Sequence, residues 1–368
     1  MDCWNSIPYA EGNEDERSSY VSSVTNAKIQ YSKKAKDKAD SLLGGHKKEY
    51  CFTDELDELG QSRGSENNIA TVHIDGNGMG ERFRSCESVE KTKLLSDDVK
   101  KGIQNSFILL VEQIILDHKN DKFKDFLDLR CENGITTLPI RSVIMGGDDI
   151  TFVCEGRMGI YFAKIFMEQF SQQKDSQGHN LNLTSCAGVA ITKTKFPFYR
   201  GYELAEQLCS NAKQTRMRIE GVNRGSWLDF HIAYGGFSGT LEEIRNSNFQ
   251  APQGNLIYRP YKIGDTGEYG FETFLSNAKT LLNKNGETNF PRNKIKELRE
   301  VLTKGKDATK YFVSQMRARD VEFPKIPSKN YHENLFEGDK TIKEDTRKTP
   351  YFDMVEFIEF YPKYELEG

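Results

Sequence analysis

Several common signatures are missing from this sequence, and each absence removes a class of function. The seven cysteines form no CxxC pair, which disfavours a zinc knuckle and a disulfide framework. No Gly-Lys-Ser/Thr follows a glycine-rich loop, which excludes a Walker nucleotide site, and "GNGMG" lacks the third glycine of a dinucleotide fingerprint. The six histidines form no HxH or His-Asp pair. The chemistry must therefore rest on other residue types.

Long apolar runs are also missing. The most apolar helix-like run, FILLVEQIIL, is short and contains Glu112 and Gln113, so we expect no membrane span. The first residues lack a basic flank followed by an apolar stretch, so no secretory signal is visible. These absences predict a cytoplasmic location.

An excess of positive charge is absent as well. The net charge is −4, which argues against a basic coat for nucleic acid over the whole chain. The net charge does not exclude a local basic patch, because residues 28–38 are rich in lysine. We interpret this run as a solvated helix face, with contact to RNA as the alternative.

The length of 368 residues leaves room for two or three domains. Residues 1–67 are polar and predict a helical appendage. Residues 68–265 alternate short β-branched runs with amphipathic stretches, and residues 266–368 predict a helical C-terminal domain.

The central domain predicts an α+β fold. Its elements follow the order β-α-β-β-α-β plus α-β, the ferredoxin-like arrangement of an antiparallel sheet with helices on one face. The first helix is expected to begin at a Ser96 cap, and residues 292–318 read as one helical stretch. In this arrangement the first strand and the hairpin at residues 142–153 lie together at the sheet centre.

That hairpin, SVIMGGDDITFV, places two adjacent acids between two apolar strands. Asp75 ends the first strand, so Asp75, Asp148 and Asp149 are predicted to meet at one edge of the sheet. Three close carboxylates repel one another unless cations bind between them. Two Mg²⁺ or Mn²⁺ ions suit such oxygen ligands, and the pattern indicates two-metal phosphoryl transfer. An ordinary Asp-Asp turn is the alternative.

Glycines surround these acids and predict a phosphate-binding surface. Gly76, Gly78, Gly146 and Gly147 leave backbone amides free and remove side chains that would block a triphosphate. Asn77 is a candidate ligand for ribose or metal, or a turn residue.

Lys213 is the candidate cation for the triphosphate. It stands near the predicted end of the last helix of the domain, where a lysine could reach a phosphate as a point charge. A solvated cation favoured by the helix dipole is the alternative.

At these residues the sequence resembles the cyclase Palm domain of the large subunit of type III CRISPR effectors. The motifs that carry the resemblance are DGNGMG, MGGDDITFV, AGVAITKTKFPFYRGYELAEQLCSNAK, WLDFHIA and LIYRPYKI. The trailing helices, including PYFDMVEFIEFY, are similar to that subunit's C-terminal helical domain. The likeness covers roughly residues 66–362. The GGDEF diguanylate cyclases are more distant, since Ile150 replaces their phenylalanine.

The resemblance implies a Palm that polymerises ATP into cyclic oligoadenylate, a messenger of antiviral defence. Asp75, Asp148 and Asp149 match its metal aspartates, Gly146 and Gly147 its nucleotide-facing turn, and Lys213 a lysine near the triphosphate. Many relatives have a second acid where this chain has Asn77.

The chain also lacks the family's HD nuclease motif and its first Palm. The resemblance therefore implies a standalone cyclase that pairs two Palms, as a homodimer or with another Palm-containing chain.

The sequence thus predicts a nucleotidyltransferase that converts an NTP, with ATP preferred, into a cyclic oligonucleotide. Two alternatives remain open. One is a diguanylate or mononucleotide cyclase, and the other is a non-catalytic Palm scaffold that binds nucleotide or RNA.

Overall fold

A computed structural model describes residues 6–8, 20–59, 67–124, 126–221, 225–235, 239–252, 254–282, 292–320, 335–336 and 349–367. Its strands are β1 (Ser6–Pro8), β2 (Tyr20–Ser22), β3 (Tyr50–Phe52), β4 (Asn68–Gly76), β5 (Cys131–Glu132), β6 (Ile135–Leu138), β7 (Ile140–Met145), β8 (Asp149–Glu155), β9 (Ser185–Lys193), β10 (Ser226–Ile232), β11 (Gln250–Ala251), β12 (Gly254–Asn255) and β13 (Tyr261–Ile263). Its α-helices are α1 (Ser23–Gln30), α2 (Ser32–Ser41), α3 (Met79–Arg84), α4 (Val89–Lys119), α5 (Gly159–Ser171), α6 (Phe198–Glu220), α7 (Leu241–Asn248), α8 (Phe271–Leu282), α9 (Arg292–Thr303), α10 (Lys306–Arg317), α11 (Pro350–Glu359) and α12 (Lys363–Glu367).

A six-stranded sheet forms the centre, in the order β13-β10-β9-β4-β8-β7. The succession β4, α4, β7, β8, α5, β9 is the predicted β-α-β-β-α-β order, and α6 and β10 add the predicted α-β unit. The α+β class and the ferredoxin-like Palm are therefore confirmed. The hairpin is less central than expected, because β8 pairs with β4 while β7 is the edge strand.

Two features of this sheet differ from the prediction. Strand β10 runs parallel to β9, because the crossover helix α6 returns the chain to the same end of the sheet. The helices also cover both faces rather than one. A Cβ on Gly159 of α5 would meet Val189, whereas a Cβ on Gly188 would meet α6. Neighbouring strand residues point to opposite faces, so α5 and α6 lie on opposite sides.

Two predicted helix limits were wrong. Helix α4 begins at Val89, since the Ser88 side chain accepts a hydrogen bond from the backbone N–H of Lys91 and caps it there. The stretch 292–318 is two helices, α9 and α10. Gly305 separates them with a φ of +88°, a left-handed conformation that glycine adopts without steric cost.

One apolar cluster runs through the described residues. It includes Phe152 and Phe166 of the sheet and α5, Tyr50 before the predicted boundary at residue 67, and Phe357 after the boundary at residue 265. The N-terminal region also contributes β3, which pairs with β6 in a separate three-stranded sheet. The domain boundaries themselves stay a prediction.

Candidate active site at the Gly-Gly-Asp-Asp hairpin

Two of the predicted acids face each other across the sheet. Asp75, next to the last residue of β4, is the register partner of Asp149, the first residue of β8. Directly opposite residues of an antiparallel pair have Cβ atoms about 4.5–5.5 Å apart. The fold therefore places these two carboxylates side by side on the face that α6 covers.

Asp148 lies at the tip of the hairpin beside them. Its carbonyl oxygen accepts a hydrogen bond of 2.9 Å from the backbone N–H of Gly76, which ties the tip to the end of β4. Burial raises the pKa of the half-buried Asp148 carboxyl, and the negative charges of Asp75 and Asp149 raise it further. Burial and neighbouring negative charge therefore both disfavour the ionised form of Asp148.

Lys213 reaches the same acids from α6. Its ammonium group pairs with the Asp75 carboxylate, and both side chains are about one third exposed. Burial alone would lower the pKa of Lys213, but the hydrogen bond and the charge of Asp75 outweigh it and raise the pKa. Helix α6 continues to Glu220, so Lys213 is two turns inside the helix and is not the solvated end cation of the alternative.

The hairpin glycines have separate roles. The backbone N–H of Gly146 donates to the carbonyl of Asp149 at 2.9 Å, and a Cβ at Gly146 would stand 1.8 Å from Asp149 Oδ1. A Cβ at Gly147 would meet no atom within 4 Å in the described part of the chain. Gly146 is therefore required by the position of Asp149, while Gly147 leaves one side of the turn open.

The loop after β4 is held in place by a hydrogen bond from Asn77. Gly78 has a φ of +70° and precedes α3. Asn77 is 2% exposed, and its Nδ2 donates to Thr184 Oγ1 at 3.2 Å, while its Oδ1 has no hydrogen-bond partner among the described residues. Asn77 thus anchors this loop to the segment before β9. Whether Gly76, Asn77 or Gly78 contacts a nucleotide stays a prediction.

A second row of polar residues, which was not predicted from the sequence, lies on the same face. His73 Nδ1 lies 3.0 Å from Thr151 Oγ1, and the His73 ring meets Tyr202 of α6 edge-on at 5.8 Å. The Tyr202 hydroxyl bonds Glu206, which together with burial raises the pKa of Tyr202 to about 12. The signal was available, because alternate residues of β4 and β8 share one face with Asp75 and Asp149.

The donor chemistry of the site fits a hard divalent cation. Asp75, Asp148 and Asp149 offer carboxylate oxygens, which Mg²⁺ and Mn²⁺ prefer, and burial together with the negative charge of Asp75 raises the pKa of Asp148. Within the described residues, however, no three His, Cys, Asp or Glu side chains are grouped as a ready metal site. Lys213 instead pairs with Asp75. The two-cation site therefore stays a prediction.

The order of strands and helices and the acids at the hairpin are those expected of a Palm domain. Residues 68–220 match the family described as Cas10/Cmr2, second palm domain. The resemblance to the type III CRISPR large subunit is thus confirmed for this part of the chain, which is a Cas10-like Palm. None of the curated proteins matches the sequence.

Solved structures with similar folds include Csm1 from T. onnurineus, at 16% identity and a TM-score of 0.48, covering 85% of this chain and 39% of that one. A Csm1-Csm4 cassette in complex with pppApA has 16% identity, a TM-score of 0.45, and coverage of 82% and 37%. The GGDEF domain of DgcB from Caulobacter crescentus, in complex with c-di-GMP, has 12% identity, a TM-score of 0.30, and coverage of 54% and 86%. The chain thus spans about two fifths of the length of these Csm1 chains.

The described helices include none with the length and apolar content that a membrane crossing needs.

Proposed function

We propose that this chain is a metal-dependent nucleotidyltransferase that converts ATP, or another NTP, into a cyclic oligonucleotide messenger of antiviral defence. The observation that carries the proposal is the placement of Asp75 opposite Asp149, with Asp148 at the adjoining tip. The Cas10-like Palm of residues 68–220 supports the same class of chemistry.

Each residue has a role in this reaction. Asp75, Asp148 and Asp149 would hold two Mg²⁺ or Mn²⁺ ions, which supply a more acidic attacking hydroxyl and charge for the leaving pyrophosphate. Lys213 would exchange its bond to Asp75 for one to a phosphate oxygen. A ribose oxygen of one nucleotide forms a bond to the α-phosphorus of the next, the α–β phosphoanhydride bond breaks, and the hydroxyl proton passes to solvent.

The experiment incubates the purified full chain with each NTP and either metal and identifies products by mass spectrometry. We expect pyrophosphate and a cyclic adenine oligonucleotide. Asp148→Asn/Asp149→Asn should lower turnover by about 100-fold or more, as loss of transition-state charge stabilisation does elsewhere. Asp97→Asn, at an exposed position of α4, is the matched control. Unchanged turnover in the double variant would remove these acids from the mechanism.

The ring that forms distinguishes the related enzymes. A cyclic guanine dinucleotide would indicate a diguanylate cyclase, and a cyclic mononucleotide would indicate a mononucleotide cyclase. Both outcomes keep the acids in the reaction and change only the substrate.

A non-catalytic Palm scaffold is the second candidate. It is favoured by the pairing of Lys213 with Asp75 and by the lack of a grouped three-ligand set in the described residues. Tight binding of NTP or RNA without product in either metal would support this candidate.

The cyclase would join two nucleotides between two Palm domains. In this chain, residues 68–220 supply one Palm domain. A homodimer or a second Palm-containing chain is therefore part of the proposal. Light scattering during size-exclusion chromatography, with and without NTP and metal, measures whether the chain pairs with itself.

A further inference from the structure

A groove unrelated to the acids lies along the outer edge of the central sheet. It has a volume of about 900 Å³ and is bounded by α2, α4 and the edge strand β7. Its apolar lining residues include Leu42, Phe52, Ile108 and Met145. The groove follows β7 almost to the hairpin, so whatever fills it lies close to the candidate active site.

The rim of this groove is positively charged, although the chain as a whole carries −4. The four lining cations are Lys33, Lys36, Lys38 and Arg141, against two lining acids, Asp40 and Asp54, which gives 4 − 2 = +2. Asp54 is already paired with Lys36 at 2.5 Å and with Arg141 at 3.3 Å. Lys33 and Lys38 are exposed and have no ion-pair partner within the described residues.

The wall opposite α2 is a sheet edge. In the described part of the chain β7 pairs with β8 alone, so its other side offers backbone N–H and C=O groups to a further strand. Val143 and Ile144 on this edge are 42% and 39% exposed. An exposed edge with apolar side chains is uncommon, since proteins usually cover or charge such edges.

We infer that this groove binds an extended, acidic and apolar peptide segment of a partner protein, which adds to β7 as a seventh strand. Strand addition would satisfy the free backbone groups of β7. Side chains of a strand alternate in direction, so apolar residues could cover Val143 while acidic residues meet Lys33 and Lys38. RNA fits less well, because the lining has no exposed aromatic ring on which a base could stack.

The test uses three labelled probes with the full chain in fluorescence anisotropy: a heptapeptide of alternating valine and glutamate, its lysine counterpart, and a uridylate decamer of RNA. We expect the glutamate peptide to bind, the lysine peptide not to bind, and binding to weaken as salt rises. Lys33→Glu/Lys38→Glu should weaken the glutamate peptide by about tenfold or more, as the loss of two rim ion pairs predicts. Lys100→Glu/Lys101→Glu, at exposed positions of α4 outside the groove, is the matched control.

Hydrogen exchange gives a second measurement that is specific for strand addition. The bound glutamate peptide should slow exchange of β7 amides and leave those of α8 unchanged. No binding of that peptide, equal binding of the lysine peptide, or binding without protection of β7 would overturn the inference. If the RNA bound more tightly than the glutamate peptide and lost this binding in Lys33→Glu/Lys38→Glu, the groove would be assigned to RNA instead of a peptide. None of these results depends on NTP turnover, so the proposed function is tested separately.

Discussion

The ammonium group of Lys213 on α6 pairs with the carboxylate of Asp75 at the end of β4. The pair joins the helix on one face of the sheet to the strand that carries the first candidate metal ligand. Lys213 therefore supplies positive charge beside the Asp75 carboxylate.

Lys213→Gln should raise the KM for NTP by about 10- to 100-fold, because a charge-assisted hydrogen bond to a phosphate contributes about 1.5–3 kcal/mol. Steady-state kinetics at saturating metal measures this change. Lys213→Arg keeps the charge and should recover part of the loss. An unchanged KM in Lys213→Gln would show that the lysine only neutralises Asp75.

Gly146→Ala should lower the rate of turnover. Gly147→Ala, in contrast, should leave the melting temperature unchanged. A Cβ at Gly146 would stand 1.8 Å from Asp149 Oδ1, so the carboxylate must rotate away, whereas a Cβ at Gly147 meets nothing within 4 Å. The Asp149 carboxylate is the end of a flexible side chain and can move. We therefore expect Gly146→Ala to lower the free energy of unfolding by less than the roughly 1–3 kcal/mol that is typical of overpacking. Turnover and thermal melts of both variants separate the two effects, and full activity of Gly146→Ala would contradict the assigned position of Asp149.

Asp148→Asn should stabilise the metal-free protein at neutral pH. The folded-state pKa of Asp148 lies above the ordinary value of 3.8, so the stability cost of its ionised form develops as the pH rises above 3.8 and is complete above the raised pKa. Below the ordinary value both states are protonated and the effect disappears. We expect a gain below about 1 kcal/mol, since solvent screens a half-buried carboxyl.

Thermal melts in EDTA from pH 3 to pH 8 measure this difference, with Asp97→Asn as the exposed control. A gain that is constant across this range would show that charge is not its cause.

Gly188→Ala should loosen the packing of α6 on β9. A Cβ there would stand 2.0 Å from the carbonyl oxygen of Ala205, which is backbone and cannot rotate away. Overpacking of this kind costs about 1–3 kcal/mol of unfolding free energy or more. Gly235→Ala is the matched control, because a Cβ at Gly235 meets no atom of the described residues within 4 Å. Equal stability of the two variants in urea would disprove the close approach.

Arg259→Met should destabilise the chain strongly. The Arg259 side chain is fully buried, lies 2.9 Å from Glu356, and also faces Asp353. Its loss leaves the buried Asp353 without a cation and leaves Glu356 with only its 3.4 Å pair to Arg299, which costs about 3–5 kcal/mol.

Lys296→Met breaks an exposed pair with Glu359 and should change stability by less than about 1 kcal/mol. Urea unfolding monitored by circular dichroism compares these two variants. Similar midpoints would mean that the buried network is dispensable.

The order of the elements was readable from the chain because local patterns encode it. The β-branched run at residues 68–75 became β4, and the amphipathic run at residues 198–216 became α6. The juxtaposition of Asp75 and Asp149 followed from that order, since the topology fixes which strand ends meet.

Where the prediction failed, the outcome depended either on distant contacts or on a choice between two local caps. The pattern gave no sign that α6 packs on the face opposite α5, because both helices are amphipathic and only close approach at Gly188 and Gly159 selects their sides. The start of α4 depended on the cap at Ser88 rather than on the equally plausible Ser96.

The sequence by itself determined the Palm order of strands and helices and the three acids at one rim, since periodicity and turn residues act over a few positions. Tertiary structure alone decided which partner each charge meets. Lys213 bonds Asp75 across 138 residues of chain, and Arg259 meets Glu356 from 97 residues away. Such pairs depend on burial and on the packing of separate elements, which no local pattern specifies.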